Sequence, residues 1–161
     1  MTMAPHTVAA GQRWARNIAW LAAALWTGSL WGVGFLSVPV LFSTLSDKML
    51  AGMLAGKMFT LVAWVGIGAA VYFLSWLAAG RGKQAWRQPA FLIAAAMLVL
   101  TLLGEFGLQP QMAALKAQAL PGDVMHSAHA AAFQTLHGIA RAMYLAQCLL
   151  GLALVLKARD C

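Results

Sequence analysis

The sequence predicts an all-α, polytopic membrane protein: a four-helix transmembrane bundle with long extracytoplasmic links, formed as a single domain by residues 1–161. Two observations lead to this fold class. Hydrophobic residues make up 62% of the chain and charged residues only 9%, which is typical of a chain embedded in a bilayer. Four stretches also reach the roughly 20 apolar residues that a helix needs to cross a hydrocarbon core about 30 Å thick.

The predicted membrane spans cover about residues 18–38, 58–79, 89–108 and 137–156. They are rich in Ala, Leu, Gly and Trp and lack the alternation of a barrel strand, so helices are expected to satisfy their backbone hydrogen bonds in lipid. Arg13 and Arg16 precede the first span, as in a signal peptide. The apolar run is too long for that and contains three tryptophans, so we expect it to be retained as a helix.

Lysine and arginine are unequally divided between the two ends of the predicted bundle. The end shared by both termini carries Arg13, Arg16, Arg81, Lys83, Arg87, Lys157 and Arg159, whereas the other end carries Lys48, Lys57 and Lys116. Because basic residues accumulate in cytoplasmic flanks, we expect both termini to face the cytoplasm. The net charge of +7 is then explained by the orientation in the membrane, and no nucleic-acid partner is expected.

The two outer links contain helix signals. Ser46 and Asp47 are candidate N-caps, and the Met, Leu and Ala that follow at helical spacing predict an outer extension of the second helix. In the second outer link we expect a short helix after Pro110, a Pro-Gly turn, and an N-cap at Asp123 from which the fourth helix starts.

A faint internal repeat accompanies these links. The first and third spans both end in Phe-x-x-x-Pro, as Phe35 to Pro39 and Phe106 to Pro110. Two helical hairpins in parallel orientation would produce such a repeat. A coincidence is the alternative.

Small residues one helical turn apart predict close helix contacts, because they let two backbones approach in lipid. We interpret these contacts as packing within the bundle, with a homo-oligomer or a membrane-protein partner as the alternative. The residues assigned to helix packing are Gly28, Gly32, Gly34, Gly52, Gly56 and Pro39.

Glu105 and Arg141 are the only acid and the only base inside the predicted spans. Counting from the basic flanks at 1.5 Å per residue places both within about 6 Å of the outer rim. A charge deep in a span costs on the order of 3 kcal/mol, and less near the rim. We therefore expect either an ion pair or a shared water-filled pocket.

These two residues belong to a polar stripe. On the fourth helix, steps of three or four residues place His129, Phe133, His137 and Arg141 on one face. The predicted seam between helices three and four consists of Glu105, Gln109, Phe133, His137, Arg141 and Tyr144. It is either structural, made of buried polar contacts, or an outward-facing binding cavity.

A metal site is a separate hypothesis. His126 and His129 are three residues apart, with methionines nearby, and imidazole with thioether suits copper. His129 and His137 are about 12 Å apart along a helix, so they cannot share one ion. Haem is not expected, since no other span carries a histidine for the second axial position. No cofactor besides copper is expected.

The chain has no catalytic motif such as Gly-x-Ser-x-Gly, a phosphate loop or His-Glu-x-x-His. Its glycine-rich span and fourth helix, "LWTGSLWGVGFLSVPVLFSTLSDKMLAGMLAGKMF" (25–59) and "FQTLHGIARAMYLAQCLLGL" (133–152), resemble the transmembrane-protein-205-like family, known in bacteria as a domain of unknown function. The resemblance implies a small four-span protein of the bacterial inner membrane without established chemistry.

The residues thus predict a non-enzymatic factor that binds or helps export a small ligand or soft metal through the polar seam. The alternative is a structural or protein-interaction module that assembles through its glycine-rich helix faces.

Overall fold

The computed structural model describes residues 5–119, 122 and 124–158, with side chains from residue 11 onward. In chain order these residues form α1 (Pro5–Trp31), a π-helical turn (Gly32–Ser37), α2 (Val38–Thr44), α3 (Lys48–Arg81), a 3-10 turn (Gly82–Arg87), α4 (Pro89–Leu102), a second π-helical turn (Leu103–Leu108), α5 (Gln109–Ala119), a 3-10 turn (Val124–His126) and α6 (Ala130–Ala158). No strand occurs in this part of the chain.

Four continuous helical stretches are long and apolar enough to cross a membrane: Gly11–Thr44, Lys48–Arg87, Pro89–Ala119 and Ala130–Ala158. The predicted all-α, four-span class is thereby confirmed. The links between the spans are shorter than the sequence suggested, because the first and third helices continue past the predicted ends at residues 38 and 108. Much of the predicted outer link is therefore helix.

The helix starts agree only in part with the sequence signals. Asp47 caps α3 as predicted, since its Oδ1 accepts hydrogen bonds from the N–H groups of Met49 and Leu50 at 2.9 and 3.1 Å. The predicted cap Asp123 and the proline of the predicted turn lie outside the described residues. The predicted start of the fourth helix after Asp123 is wrong: α6 begins at Ala130, because a 3-10 turn comes first and the Ser127 hydroxyl accepts the N–H of His129 at 3.2 Å.

The long helices form a four-sided bundle. α1 and α4 each pack against both α3 and α6, and α1 and α4 stand at opposite corners. The largest fully buried side chains at the centre are Trp26, Leu30, Phe73, Leu77, Met97 and Leu154. The outward faces carry exposed apolar residues such as Leu61, Leu92 and Leu149. Helices that are apolar on all sides suit a bilayer, so these faces meet lipid.

Buried side chains are concentrated in one half of this bundle. All buried residues of α6 lie at or after Gln147, and those of α4 end at Thr101. Leu30 is the last buried residue of α1, and neither π-helical turn nor α2 or α5 has one. On α1, α4 and α6, buried side chains are therefore confined to the part between the start of α1 and the level of Thr101. Beyond that level α3 still buries Ala51 and Ala55 in its first turns.

Two π-helical turns mark the transition from the packed half to the open half. The N–H of Val38 bonds to the carbonyl of Val33, five residues back, and the N–H of Gln109 bonds to that of Gly104. Each bond comes directly before a proline, which has no N–H and whose ring clashes with the carbonyl four residues earlier. The predicted Phe-x-x-x-Pro repeat thus coincides with two equivalent backbone distortions. The Pro39 side chain is exposed, so this proline affects the backbone of its own helix.

Candidate functional site

Three hydrogen bonds join α1 to α6 where the packed half ends. The Thr27 hydroxyl donates to the Gly151 carbonyl at 3.1 Å, and the Trp31 indole N–H donates to the Cys148 carbonyl at 3.2 Å. In the opposite direction, the Tyr144 hydroxyl donates to the Leu30 carbonyl. A backbone carbonyl keeps a second lone pair when it is already part of a helix, so these bonds link the helices without breaking either one.

Glycines make the closest of these helix contacts possible. A Cβ added at Gly66 would overlap the buried Trp26 indole, whose Cε2 lies 2.8 Å away. A Cβ at Gly151 would lie 2.9 Å from the Thr27 hydroxyl oxygen. The sequence search did not single out either glycine. Gly66 precedes buried Ala70 by four residues, so a search for small-x-x-x-small pairs that included alanine would have found it.

The five glycines predicted to pack differ in their surroundings. A Cβ at Gly34 would overlap the Tyr144 ring, with the hydroxyl oxygen 2.8 Å away. Gly52 and Gly56 have ordinary neighbours, at 4.0 Å from Phe42 and 3.8 Å from Gln109.

Gly28 and Gly32 have a different environment. A Cβ at either position would meet no atom within 4 Å. The i, i+4 pair therefore makes no close helix contact among the described residues. A role for this pair in assembly stays a prediction.

A buried polar pair between α4 and α6 lies at the boundary of the packed half of the bundle. The Gln147 side-chain amide donates to the Thr101 hydroxyl at 3.2 Å, and that hydroxyl donates to the Met97 carbonyl at 2.9 Å. Both side chains are at most 7% exposed. We call this pair the floor. Glu105 lies about 6 Å beyond it along α4 and Arg141 about 9 Å beyond it along α6, at 1.5 Å per residue.

Glu105 and Arg141 are therefore at nearly the same depth, as the sequence predicted, but they do not pair. No ion pair joins them among the residues that the structure describes. Arg141 is exposed and Glu105 is half-buried. The predicted ion pair is therefore absent, and a water-filled pocket shared by the two charges stays a prediction.

Beyond the floor, contacts between α5 and α6 bring Lys116, Phe133 and His137 together. The rings of Phe133 and His137 stack with their centroids 5.9 Å apart and their planes at 13°. The Lys116 ammonium lies 5.5 Å from the centroid of the same Phe133 ring. Arg141 follows His137 by one helical turn. Lys116 was not predicted as a site residue, since only the tertiary contact between α5 and α6 places it there.

The other predicted seam residues point to the neighbouring helices. Tyr144 packs on Gly34 of the first π-helical turn and makes an edge contact with Phe59, at 5.1 Å between centroids and 75°. Gln109 lies against Gly56 of α3. The seam thus divides into a structural part and an open part. We define the open part as the polar mouth, formed by Glu105, Lys116, Phe133, His137 and Arg141.

The two histidines of the metal hypothesis lie before α6. His126 is exposed in the 3-10 turn, and His129 is half-buried in the turn that follows. No group of three His, Cys, Asp or Glu side chains that could hold a metal ion occurs within the described part of the chain. Any copper at this position would need ligands of another kind, such as Met125, which is exposed beside them.

A comparison with protein families finds one matching model, described as Domain of unknown function (DUF4149), over residues 21–121. The match includes the last part of α1, both π-helical turns and α2, α3, α4 and α5. No curated protein and no solved structure matches the chain.

Proposed function

The chain belongs to the family described as Domain of unknown function (DUF4149), a name that assigns no chemistry, and from its geometry we propose that it is a non-enzymatic membrane protein that binds a small organic acid in the polar mouth. The observation that carries this proposal is the open half of the bundle. On α4 and α6 the buried side chains end at Thr101 and Gln147, yet charged side chains continue beyond them inside the membrane-spanning helices.

The cost of these charges argues for a function. An ionisable side chain inside a span costs about 3 kcal/mol at the bilayer centre and less towards the rim, and such residues usually border a cavity or pathway. Arg141 and Glu105 do not neutralise each other. Water or a ligand in the polar mouth must then satisfy both.

The charges also indicate the class of ligand. Lys116 and Arg141 carry the positive charge, whereas Glu105 is the one described carboxylate of the mouth. A guanidinium binds a carboxylate through two parallel hydrogen bonds. We infer that the acid group of the ligand lies against Arg141 and Lys116, and that an ammonium or hydroxyl group of the same ligand donates to Glu105.

The packed half favours binding over conduction. Below Gln147 the helices are closed by buried side chains, of which Leu154 and Met97 are inaccessible to solvent. We further propose that the polar mouth opens on the extracytoplasmic side of the bacterial inner membrane, with both termini in the cytoplasm. The excess of basic residues at the packed end supports this orientation. The wider relationship to the transmembrane-protein-205-like family is likewise proposed, on the strength of the glycine-rich span and His137.

Arg141→Gln is expected to weaken binding of an organic acid by about ten- to a hundredfold, the loss that accompanies removal of a charge-assisted hydrogen bond. The measurement is thermal unfolding of the purified protein in lipid nanodiscs with increasing concentrations of glutamate, lactate or acetate. Lys57→Gln is the matched control, because it removes the same charge from an exposed position at the same end of the bundle.

Several outcomes of that titration would contradict the proposal. Equal stabilisation of Arg141→Gln and Lys57→Gln would show that binding does not involve the mouth. If no organic acid stabilises the protein, the ligand class is wrong. Stabilisation by copper that is lost on replacing His126 and His129 with alanine would favour the soft-metal alternative.

A second candidate function, assembly with another copy of the chain, is supported by the environment of Gly28 and Gly32. Gly28 of α1 and Gly32 of the π-helical turn that follows both leave open space, four residues apart, as in dimerising spans. Gly28→Leu is then expected to weaken self-association in micelles by about tenfold or more, measured by light scattering across a dilution series. Gly68→Leu, also at an open position, should have no effect. An unchanged assembly in Gly28→Leu would exclude this face.

A further inference from the structure

A second cleft lies at the packed end of the bundle, opposite the polar mouth. It occurs where the beginning of α1 meets the end of α3 and encloses about 440 Å³. Arg13 and Arg16 line it from α1, and Trp76, Leu77, Gly80 and Arg81 line it from α3. Its volume is in the range of pockets that hold small molecules, roughly 300–1,000 Å³.

Positive charge dominates this cleft. Its three arginines come from two helices, and a guanidinium stays protonated at any physiological pH. Leu77 is 1% exposed and Trp76 half-buried, so the arginines surround an apolar base. The cleft therefore offers cationic groups at its rim and apolar contact towards the membrane.

We propose that this cleft binds the phosphate of an anionic phospholipid headgroup. An arginine guanidinium can donate two parallel hydrogen bonds to two oxygens of one phosphate. Basic pockets between spans at the cytoplasmic side are also suited to anionic lipid headgroups. Trp14 and Trp86, at the same end, are 70% and 65% exposed, as expected of tryptophans at the membrane interface. A headgroup at this level would direct its glycerol and acyl chains along half-buried Trp76, a contact that a free phosphate could not make.

Gly80 offers a way to block the cleft without changing its charge. A Cβ at this position meets no atom within 4 Å, so a leucine there would fill the cleft rather than disturb the bundle. Gly68 on the same helix is also open but does not line the cleft. The pair Gly80→Leu and Gly68→Leu therefore separates occupation of the cleft from a general effect on α3.

Charge variants test the same site independently. Arg13→Gln/Arg16→Gln removes two charges that line the cleft, whereas Lys83→Gln/Arg87→Gln removes two charges from the same end that do not. General attraction to an anionic membrane surface depends on total charge and falls equally in both. Binding in the cleft is lost only in the first.

The experiment titrates the detergent-purified full chain with phosphatidylglycerol, phosphatidylcholine and inorganic phosphate, and follows bound lipid by native mass spectrometry. We expect saturable binding of phosphatidylglycerol, weakened about tenfold or more in Arg13→Gln/Arg16→Gln and in Gly80→Leu. Gly68→Leu and Lys83→Gln/Arg87→Gln should bind as the unmodified protein does.

Three results would overturn the inference. Equal losses in the two charge variants would mean general electrostatic attraction. Full binding in Gly80→Leu would place the lipid elsewhere. Competition by inorganic phosphate at the affinity of phosphatidylglycerol would identify a soluble anion as the occupant. None of these results depends on the ligand of the polar mouth, so the two proposals can fail separately.

Discussion

Gly66→Val is expected to lower the free energy of unfolding by about 3 kcal/mol, the upper part of the usual cost of overpacking a core. The added Cβ would occupy the position of the Trp26 indole, which is 1% exposed. Neither group can turn towards lipid, because Trp26 lies at the centre of the bundle between α1 and α3. The expected result is separation of these two helices at their closest approach.

The measurement is reversible unfolding of the protein in mixed micelles with increasing SDS. Gly68→Val is the control, since this glycine lies two residues further along α3, is exposed, and has no atom within 4 Å of an added Cβ. Its change in unfolding free energy should stay within about 0.5 kcal/mol. Equal destabilisation by both variants would mean that valine in α3, and not contact with Trp26, causes the loss.

Gly34→Ala is expected to cost about 2 kcal/mol through its contact with a single side chain. The new methyl group would overlap the Tyr144 ring. If the ring moves, its hydroxyl loses the Leu30 carbonyl and its edge contact with Phe59 is lost as well. Because these contacts connect α6 to α1 and α3, the loss should also widen the base of the polar mouth.

A double-mutant cycle isolates this contact. In a Tyr144→Ala background the ring is absent, so Gly34→Ala should cost almost nothing, and the coupling energy between the two positions should exceed about 1 kcal/mol. Gly32→Ala, in the same π-helical turn but with open space around it, should not couple to Tyr144→Ala. Additive losses for Gly34 and Tyr144 would contradict the packing described here.

Residue spacing predicted part of the polar mouth but not its contacts. The 3.6-residue period placed Phe133, His137 and Arg141 on one face of a helix, and depth counting placed Glu105 opposite them. The spacing could not show whether Glu105 and Arg141 meet. That depends on how α4 and α6 are placed relative to each other beyond Thr101, which is a relation between two helices.

Glycine spacing likewise could not predict which glycines contact a neighbouring helix. The pair Gly28 and Gly32 has the spacing of a contact motif, yet the contacts inside the chain involve Gly34, Gly66 and Gly151. In lipid, apolar residues gain nothing by turning inwards, since the surroundings are apolar as well. Hydrophobic periodicity therefore carries little information about which face of a span is buried.

By itself, the sequence determined the all-α class, the four spans and the cap at Asp47, since bilayer thickness and backbone hydrogen bonding act on each segment separately. Only the tertiary structure decided which glycines touch a neighbouring helix, that Lys116 lies over Phe133, and that Arg13, Arg16 and Arg81 share one cleft. These are relations between segments distant in the chain. They depend on how each helix is rotated and placed against its neighbours, which no single segment specifies.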